Sequence, residues 1–205
     1  ERTMNTFLGA SLELTHHEVE KQELAASQWL YIEGYLVTDD RRTHVAQEAM
    51  EFAKKNGVKT AISLSDPFVV QVFSQNIDKV ISSGVDLLFC NQDEALSYTN
   101  RNNLEDAIES LKSIAKTFVI TQGENGAIAF DGLQIVHVPG VSTKVVDTNG
   151  AGDMLAGAFL YAITSGKNYE WALSFANAAA ARVVSQFGPR IASIEYDRIK
   201  AQFNV

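Results

Sequence analysis

Short apolar runs and amphipathic runs alternate along most of this chain, and that alternation limits the fold more than any other feature. Trp29-Leu30-Tyr31-Ile32, 58–64, 85–90 and 118–121 read as strands. Between them, 39–55, 67–82, 92–98 and 104–115 have helical spacing. The helix over 39–55 places Val45, Ala49, Phe52 and Ala53 on one face and ends at Asn56-Gly57. The next begins at Ser65-Asp66-Pro67, with proline where a first helical turn tolerates it. Strand–helix alternation predicts a parallel sheet covered by helices on both faces. Two later apolar stretches, 126–130 and 134–138, flank Asp131-Gly132 and predict a hairpin, hence an antiparallel edge. A further helix is expected over 169–187.

Residues 147–153 read Asp-Thr-Asn-Gly-Ala-Gly-Asp, between Val145-Val146 and an amphipathic run with Leu155, Ala158, Phe159 and Ala162 at helical spacing. A glycine-rich turn entering a helix presents unpaired N–H groups and the positive end of the dipole, so it suits an anion. Asp153 sets a carboxylate beside that place. Phosphoryl transfer to a hydroxyl needs such a pairing, although the dipole alone also favours an acid there. The turn is not a Gly-x4-Gly-Lys-Ser/Thr loop. Leu155 stands where a dinucleotide fingerprint needs its third glycine.

Composition narrows the class. The 205 residues are 46% hydrophobic and 20% charged, ordinary for one globular domain. A net charge of -8 argues against nucleic acid or an anionic membrane as the main partner, though not against a local anion site. No apolar run approaches the roughly 18 residues of a membrane helix, and the opening residues lack a signal-peptide pattern. The single cysteine, Cys90, ends an apolar strand and reads as a buried thiol, which fits a cytoplasmic setting. His16, His17, His44 and His137 lack zinc-ligand spacing. His16-His17 with Glu18 and Glu20 reads as the start of a surface helix, and Asp39 to Arg42 as a solvated helix start.

The heptad resembles the C-terminal motif of the PfkB/ribokinase family of carbohydrate and nucleoside kinases, Asp-Thr-x-Gly-Ala-Gly-Asp. Other segments follow in that family's order. Asn91-Gln92-Asp93-Glu94 is similar to its Asn-x-x-Glu motif, Thr121-Gln122-Gly123-Glu124-Asn125-Gly126 to its Thr-x-Gly-x-x-Gly strand end, and 175–179 to the helix bordering its adenine pocket. The resemblance implies a ribokinase-like three-layer α/β/α sandwich, a mostly parallel sheet with an antiparallel edge. Residues 1–205 would be the C-terminal portion, with the nucleotide-binding half, while the N-terminal part and most of the lid would lie outside them.

The resemblance also implies roles. Asp153 would act as general base toward a substrate hydroxymethyl group. The backbone of Asn149, Gly150, Ala151 and Gly152 would hold the developing charge of an ATP phosphate. Thr121 and Gly123 would meet the phosphates and ribose, or simply form a turn that needs glycine. Asn91 and Glu94 would order Mg2+ through water; the same pair also reads as a capping box, and the two readings are compatible. Asp93 reads as a solvated first-turn acid. Asn177 would border adenine, or be an ordinary polar helix residue. Asp147, with Ser193 and the Gly188-Pro189 loop, would hold K+. Arg2 would reach the transferring phosphate or be solvated. The implied acceptor is a small molecule, a nucleoside or sugar. The stretch 63–68, Ser-Leu-Ser-Asp-Pro-Phe, is similar to the adenosine-kinase branch, and relatives often form homodimers.

Overall fold

The computed structural model describes residues 7–82 and 84–204. The chain forms two compact units, Glu1–Asp86 and Leu87–Val205. In the first are α1 (Lys21–Ala26), β1 (Trp29–Glu33), α2 (Asp40–Lys55), β2 (Lys59–Ser63) and α3 (Pro67–Ile81). The strand β3 (Val85–Asn91) begins in the first unit and continues into the second. The second unit then has α4 (Gln92–Thr99), α5 (Leu104–Lys112), β4 (Ala115–Thr121), β5 (Ala127–Phe130), β6 (Ile135–Val138), α6 (Ala151–Thr164), α7 (Tyr169–Val184) and α8 (Ser193–Gln202). The six strands follow one another across the sheet in chain order. Strands β1 and β2 pair parallel, while β4–β5 and β5–β6 pair antiparallel. The expected mostly parallel sheet with an antiparallel edge is therefore present.

Local chemistry explains these elements. In β2, Thr60, Ala61 and Ile62 are all buried, as befits a strand covered on both faces. The polar Thr60 is tolerated because its N–H and hydroxyl both donate to Asp86, at 2.8 and 3.2 Å. Asp39, Asp66, Asn91, Asn103 and Asn168 each accept a backbone N–H at the start of α2, α3, α4, α5 and α7. In the second unit Phe89 meets Phe159 edge-on at 5.8 Å, and Phe159 meets Tyr169 at 5.0 Å, so α6 and α7 share one aromatic core with β3.

Some expectations need correction. Arg42 is not solvated: it is 1% exposed, and its guanidinium donates to the Asp39 carboxylate and, at 2.7 Å, to the Thr38 hydroxyl. Burial alone raises the Asp39 carboxyl, but the Arg42 N–H and guanidinium outweigh it and hold the group below its ordinary range. A folded-state value below the unfolded one stabilises the fold above the unfolded value, about 3.9. That contribution is lost as pH falls through the folded value. Urea midpoints measured against pH should therefore fall less steeply below about pH 4 in Asp39→Asn than in the wild type.

His16-His17 does not open a helix. Thr15 donates its N–H to Glu18 at 2.6 Å to close a turn, and α1 starts only at Lys21. The second unit also departs at two helix ends and one strand start. Helix α5 ends at Lys112 and β4 begins at Ala115, so tertiary pairing overrides the helix propensity of alanine. Helix α7 stops at Val184. Ser193 is the first residue of α8, an element the sequence reading did not foresee.

Cys90 is buried as expected, its thiol 3.9 Å from the Val119 carbonyl. Burial, with the Glu94 charge second, pushes that thiol well up. A thiol reagent should label Cys90 in the native protein only as fast as the strand opens, and promptly in denaturant.

Candidate active site

The turn 147–153 is assembled from its first residue. Asp147 accepts the N–H of Asn149 at 2.9 Å with one oxygen and the N–H of Gly188 at 3.0 Å with the other. Its carboxylate thus staples the turn to the loop after α7. The N–H groups of Val146 and Asp147 both donate to the Val184 carbonyl, at 2.8 and 3.2 Å. Gly150 precedes α6 with φ +76°. A Cβ there would lie 2.6 Å from both the Cβ and the carbonyl oxygen of Pro189. Glycine is required on both counts.

Helix α6, like α1 and α8, has no side chain capping its start, whereas the five other helices carry Asp or Asn caps. A Cβ on Gly152 would meet nothing within 4 Å. The positive end of a 14-residue helix is therefore left open beside free space.

That space is part of a cavity of about 640 Å³, within the range of small-molecule sites. Thr121 and Gly123 from the end of β4, Thr148, Ala151 and Gly152 line its polar side. Val141, Val145, Leu155, Ala180, Ala181 and Val184 form an apolar wall. Val145 and Val141 are 63% and 49% exposed, so a flat apolar group could bury them. Asn177, only 7% exposed, stands in the same lining.

The structure thus brings Thr121, Gly123, Ala151, Gly152 and Asn177 together. It places the other expected residues elsewhere. Asp153 is exposed and lines a second cavity of about 570 Å³, with Met154, Tyr161, Phe175, Arg190 and Tyr196 also in its lining. The N–H of Asn149 is already given to Asp147, and that of Ala151 reaches the Thr148 carbonyl at 3.4 Å. Gly152 is at the open end of the turn. Asn91 and Glu94 line neither cavity. They form the complete capping box of α4: the Asn91 N–H donates to Glu94 at 2.9 Å, the Asn91 amide donates at 2.7 Å, and the Glu94 N–H donates back at 2.8 Å. Glu94 is buried. A bond of 2.9 Å between the Gln122 and Gln92 side chains ties the start of α4 to the end of β4. Arg2 lies outside the described residues. Among the described residues, no cluster of three or more His, Cys, Asp or Glu could hold a metal ion, and no helix is long and apolar enough to cross a membrane.

The sequence reading missed the apolar wall, the close approach of Pro189 to Gly150, and one strained spot in the first unit. Ser65 has φ +69° after β2; its hydroxyl accepts the Gly34 N–H at 2.8 Å and donates to Glu33 at 3.0 Å. Gly34 beside a Ser-x-Ser turn was the available signal, because a Cβ there would lie 2.5 Å from the Ser63 carbonyl oxygen.

The profile of the pfkB family carbohydrate kinases matches residues 1–195. This chain belongs to the pfkB family. Among curated pfkB relatives, a 5-dehydro-2-deoxygluconokinase of Listeria innocua is 31% identical over 199 residues, which are 94% of this chain and 61% of that protein. The adenosine kinase structure from Sinorhizobium meliloti superposes with TM-score 0.91 at 37% identity, covering 97% of this chain and 62% of the other. A putative ribokinase II of E. coli in complex with ATP and Mg2+ shares the fold, with TM-score 0.84 at 21% identity over 97% of this chain and 67% of its own. The ribokinase-like α/β class expected from the sequence is thereby established. The chain spans about 60% of the length of the curated relatives it matches.

Proposed function

We propose that the protein carrying this chain is an ATP-dependent phosphotransferase that moves the γ-phosphoryl group to a primary hydroxyl of a nucleoside, adenosine before others. The observation that carries this reading is the uncapped start of α6, open at Gly152 onto a cavity with an apolar wall. Phosphates suit the helix start and a purine suits the wall. Asp153, at the third position of α6, takes the proton of the acceptor hydroxyl as its oxygen attacks the γ-phosphorus and the bond to the β-phosphate oxygen breaks. The Gly152 end of the helix meets the charge that builds on the phosphoryl oxygens. Its open position and the alanines of α7 fit the nucleotide.

Mg2+ would neutralise the phosphates, with Glu94 and Asn91 holding it through water. Their capping box gives this assignment a two-part test. Glu94→Gln should cost about 1 kcal/mol of stability through the weakened cap. It should also raise the Mg2+ concentration needed for half-maximal turnover severalfold, a shift that a purely structural cap would not produce. Asp147, whose oxygens each hold a backbone N–H, serves in this proposal as a staple and not as a K+ ligand.

Similarity at 31% to a 5-dehydro-2-deoxygluconokinase favours a sugar acid as the second reading of the acceptor. ADP release by the longer protein with Mg2+ separates the readings when adenosine, inosine, ribose, fructose and 5-dehydro-2-deoxygluconate are compared. Turnover with adenosine supports the first. Turnover with a sugar alone replaces it with the second. Nucleotide binding without turnover on any acceptor would leave a binding protein in place of an enzyme.

A further inference from the structure

We propose that Asn149 is a self-modification site, where the backbone nitrogen of Gly150 attacks the side chain and converts it to aspartate or isoaspartate. The conversion depends on the fold alone. Its consequence for binding rests on the nucleotide reading of the cavity.

When glycine follows asparagine, its backbone nitrogen reaches the side-chain amide with least obstruction, because glycine has no Cβ. The chain carries three such pairs, Asn56-Gly57, Asn125-Gly126 and Asn149-Gly150. Sequence alone ranks them equally, and the fold separates them. The attacking nitrogen must give up its hydrogen, so an N–H held in a hydrogen bond is hindered. The Gly57 N–H donates to the Lys54 carbonyl at 3.1 Å, and the Asn56 amide is itself tied to the Phe52 carbonyl at 2.8 Å. The Gly126 N–H donates to the Gly123 carbonyl at 3.2 Å. Its backbone is also wedged in place, since a Cβ on Gly126 would lie 2.1 Å from the Val138 oxygen. Among the described residues, the Gly150 N–H has no acceptor.

The surroundings favour the same place. No side chain caps α6, so the positive end of its dipole stabilises charge as the nitrogen loses its proton and the amide oxygen takes up electrons. The neighbouring Asp147 charge is offset, because its two oxygens hold the N–H groups of Asn149 and Gly188. Thr148 is exposed and Asn149 half-buried, so water has access.

Water is the one co-reactant. The Gly150 nitrogen bonds to Cγ of Asn149, its proton passes to the leaving amide nitrogen, and ammonia departs from a five-membered imide. Water then opens the ring. Breaking the bond to Cγ gives aspartate, and breaking the bond to the main-chain carbonyl carbon gives isoaspartate. Either product replaces a neutral amide with a carboxylate, one residue after Thr148 and two before Ala151, both of which line the cavity. That carboxylate supplies the helix start with an anion of its own and repels the phosphates of a nucleotide. The fold is kept and affinity is lost. Phosphate oxygens already in place accept the Gly150 N–H and block the attack, so an occupied site is protected and an idle one ages.

Incubating the longer protein at mildly alkaline pH and mapping its peptides by mass spectrometry tests this. Asn149 should convert about two- to tenfold faster than Asn56 and Asn125, the factor that one backbone hydrogen bond contributes. In urea the three should convert alike, since the fold alone separates them. ATP with Mg2+ should slow Asn149 and leave the other two unchanged. Asn149→Asp should keep the wild-type Tm and bind ATP about tenfold or more weakly. If Asn149 converts no faster than Asn56 and Asn125 in the folded protein, the inference is overturned, whatever the nucleotide does. If Asn149 converts fastest but ATP neither slows it nor binds Asn149→Asp more weakly, the modification site stands and the nucleotide reading of the turn fails. The wild-type rates decide even if the variant does not fold.

Discussion

Replacing Asp153 with alanine in the longer protein should lower turnover roughly 10²–10⁴-fold, the usual contribution of general acid–base catalysis. The fold should hardly notice. Asp153 is exposed, and its stabilising role as an acid in the first turn of α6 is worth about 0.3–1 kcal/mol. Asp153→Asn should be almost as inactive, because an amide keeps the shape but cannot take a proton. Nucleotide affinity should survive both changes, since Asp153 is absent from the lining of the cavity proposed for the nucleotide. Steady-state rates, nucleotide titration and thermal melts of the two variants separate these effects. A large loss of nucleotide affinity would move Asp153 from base to ligand.

The two glycines of the turn should respond in opposite ways. Gly150→Ala must place a Cβ 2.6 Å from Pro189 in a backbone region with φ +76°. The left-handed conformation alone costs about 1–2 kcal/mol, and the collision adds to it, so a loss of about 3 kcal/mol or more is expected. For a chain of this size that corresponds to a fall in Tm of roughly 6–12 °C. Gly152→Ala meets nothing within 4 Å. Inside a helix, alanine gains about 0.5–1 kcal/mol over glycine, so Tm should hold or rise. The same methyl group projects into the space where a phosphate would approach, so nucleotide affinity should fall. Melting curves and nucleotide titrations on the pair give the contrast. A Gly152→Ala chain with undiminished nucleotide affinity would argue against phosphates at that helix start.

Much of this could be read in advance, for identifiable reasons. Strong periodicity marked α2, α6 and α7, and apolar runs marked the strands. The heptad marked the turn into α6, because glycines ahead of an amphipathic run signal a bend that enters a helix. Helix α8 was invisible: Ile199 is its one buried residue, so it carries almost no apolar stripe. It is held to α7 by a 2.7 Å bond from Arg182 to Glu195 and by Phe203, just past its end, against Trp171 and Phe175, pairings that periodicity does not reveal. Arg42 was misread because a charged helix start is usually wet, whereas here the side chain folds back onto Thr38 and Asp39 and is buried there. The apolar wall escaped for a similar reason. Val184 lies about 40 residues beyond Val141 and Val145 in sequence and meets them only in the fold. The Asn91–Glu94 pair was legible as a capping box, and the structure shows that box complete.

31P NMR of the reaction mixture follows the proposed transfer of the γ-phosphoryl group to a primary hydroxyl directly. With ATP, Mg2+ and the accepted substrate, a phosphomonoester on the primary carbon of the acceptor should appear in step with ADP. Its appearance should be suppressed by Asp153→Ala to the extent given above. ADP accompanied by free inorganic phosphate and no phosphorylated acceptor, or ATP left intact with every acceptor, would contradict the account.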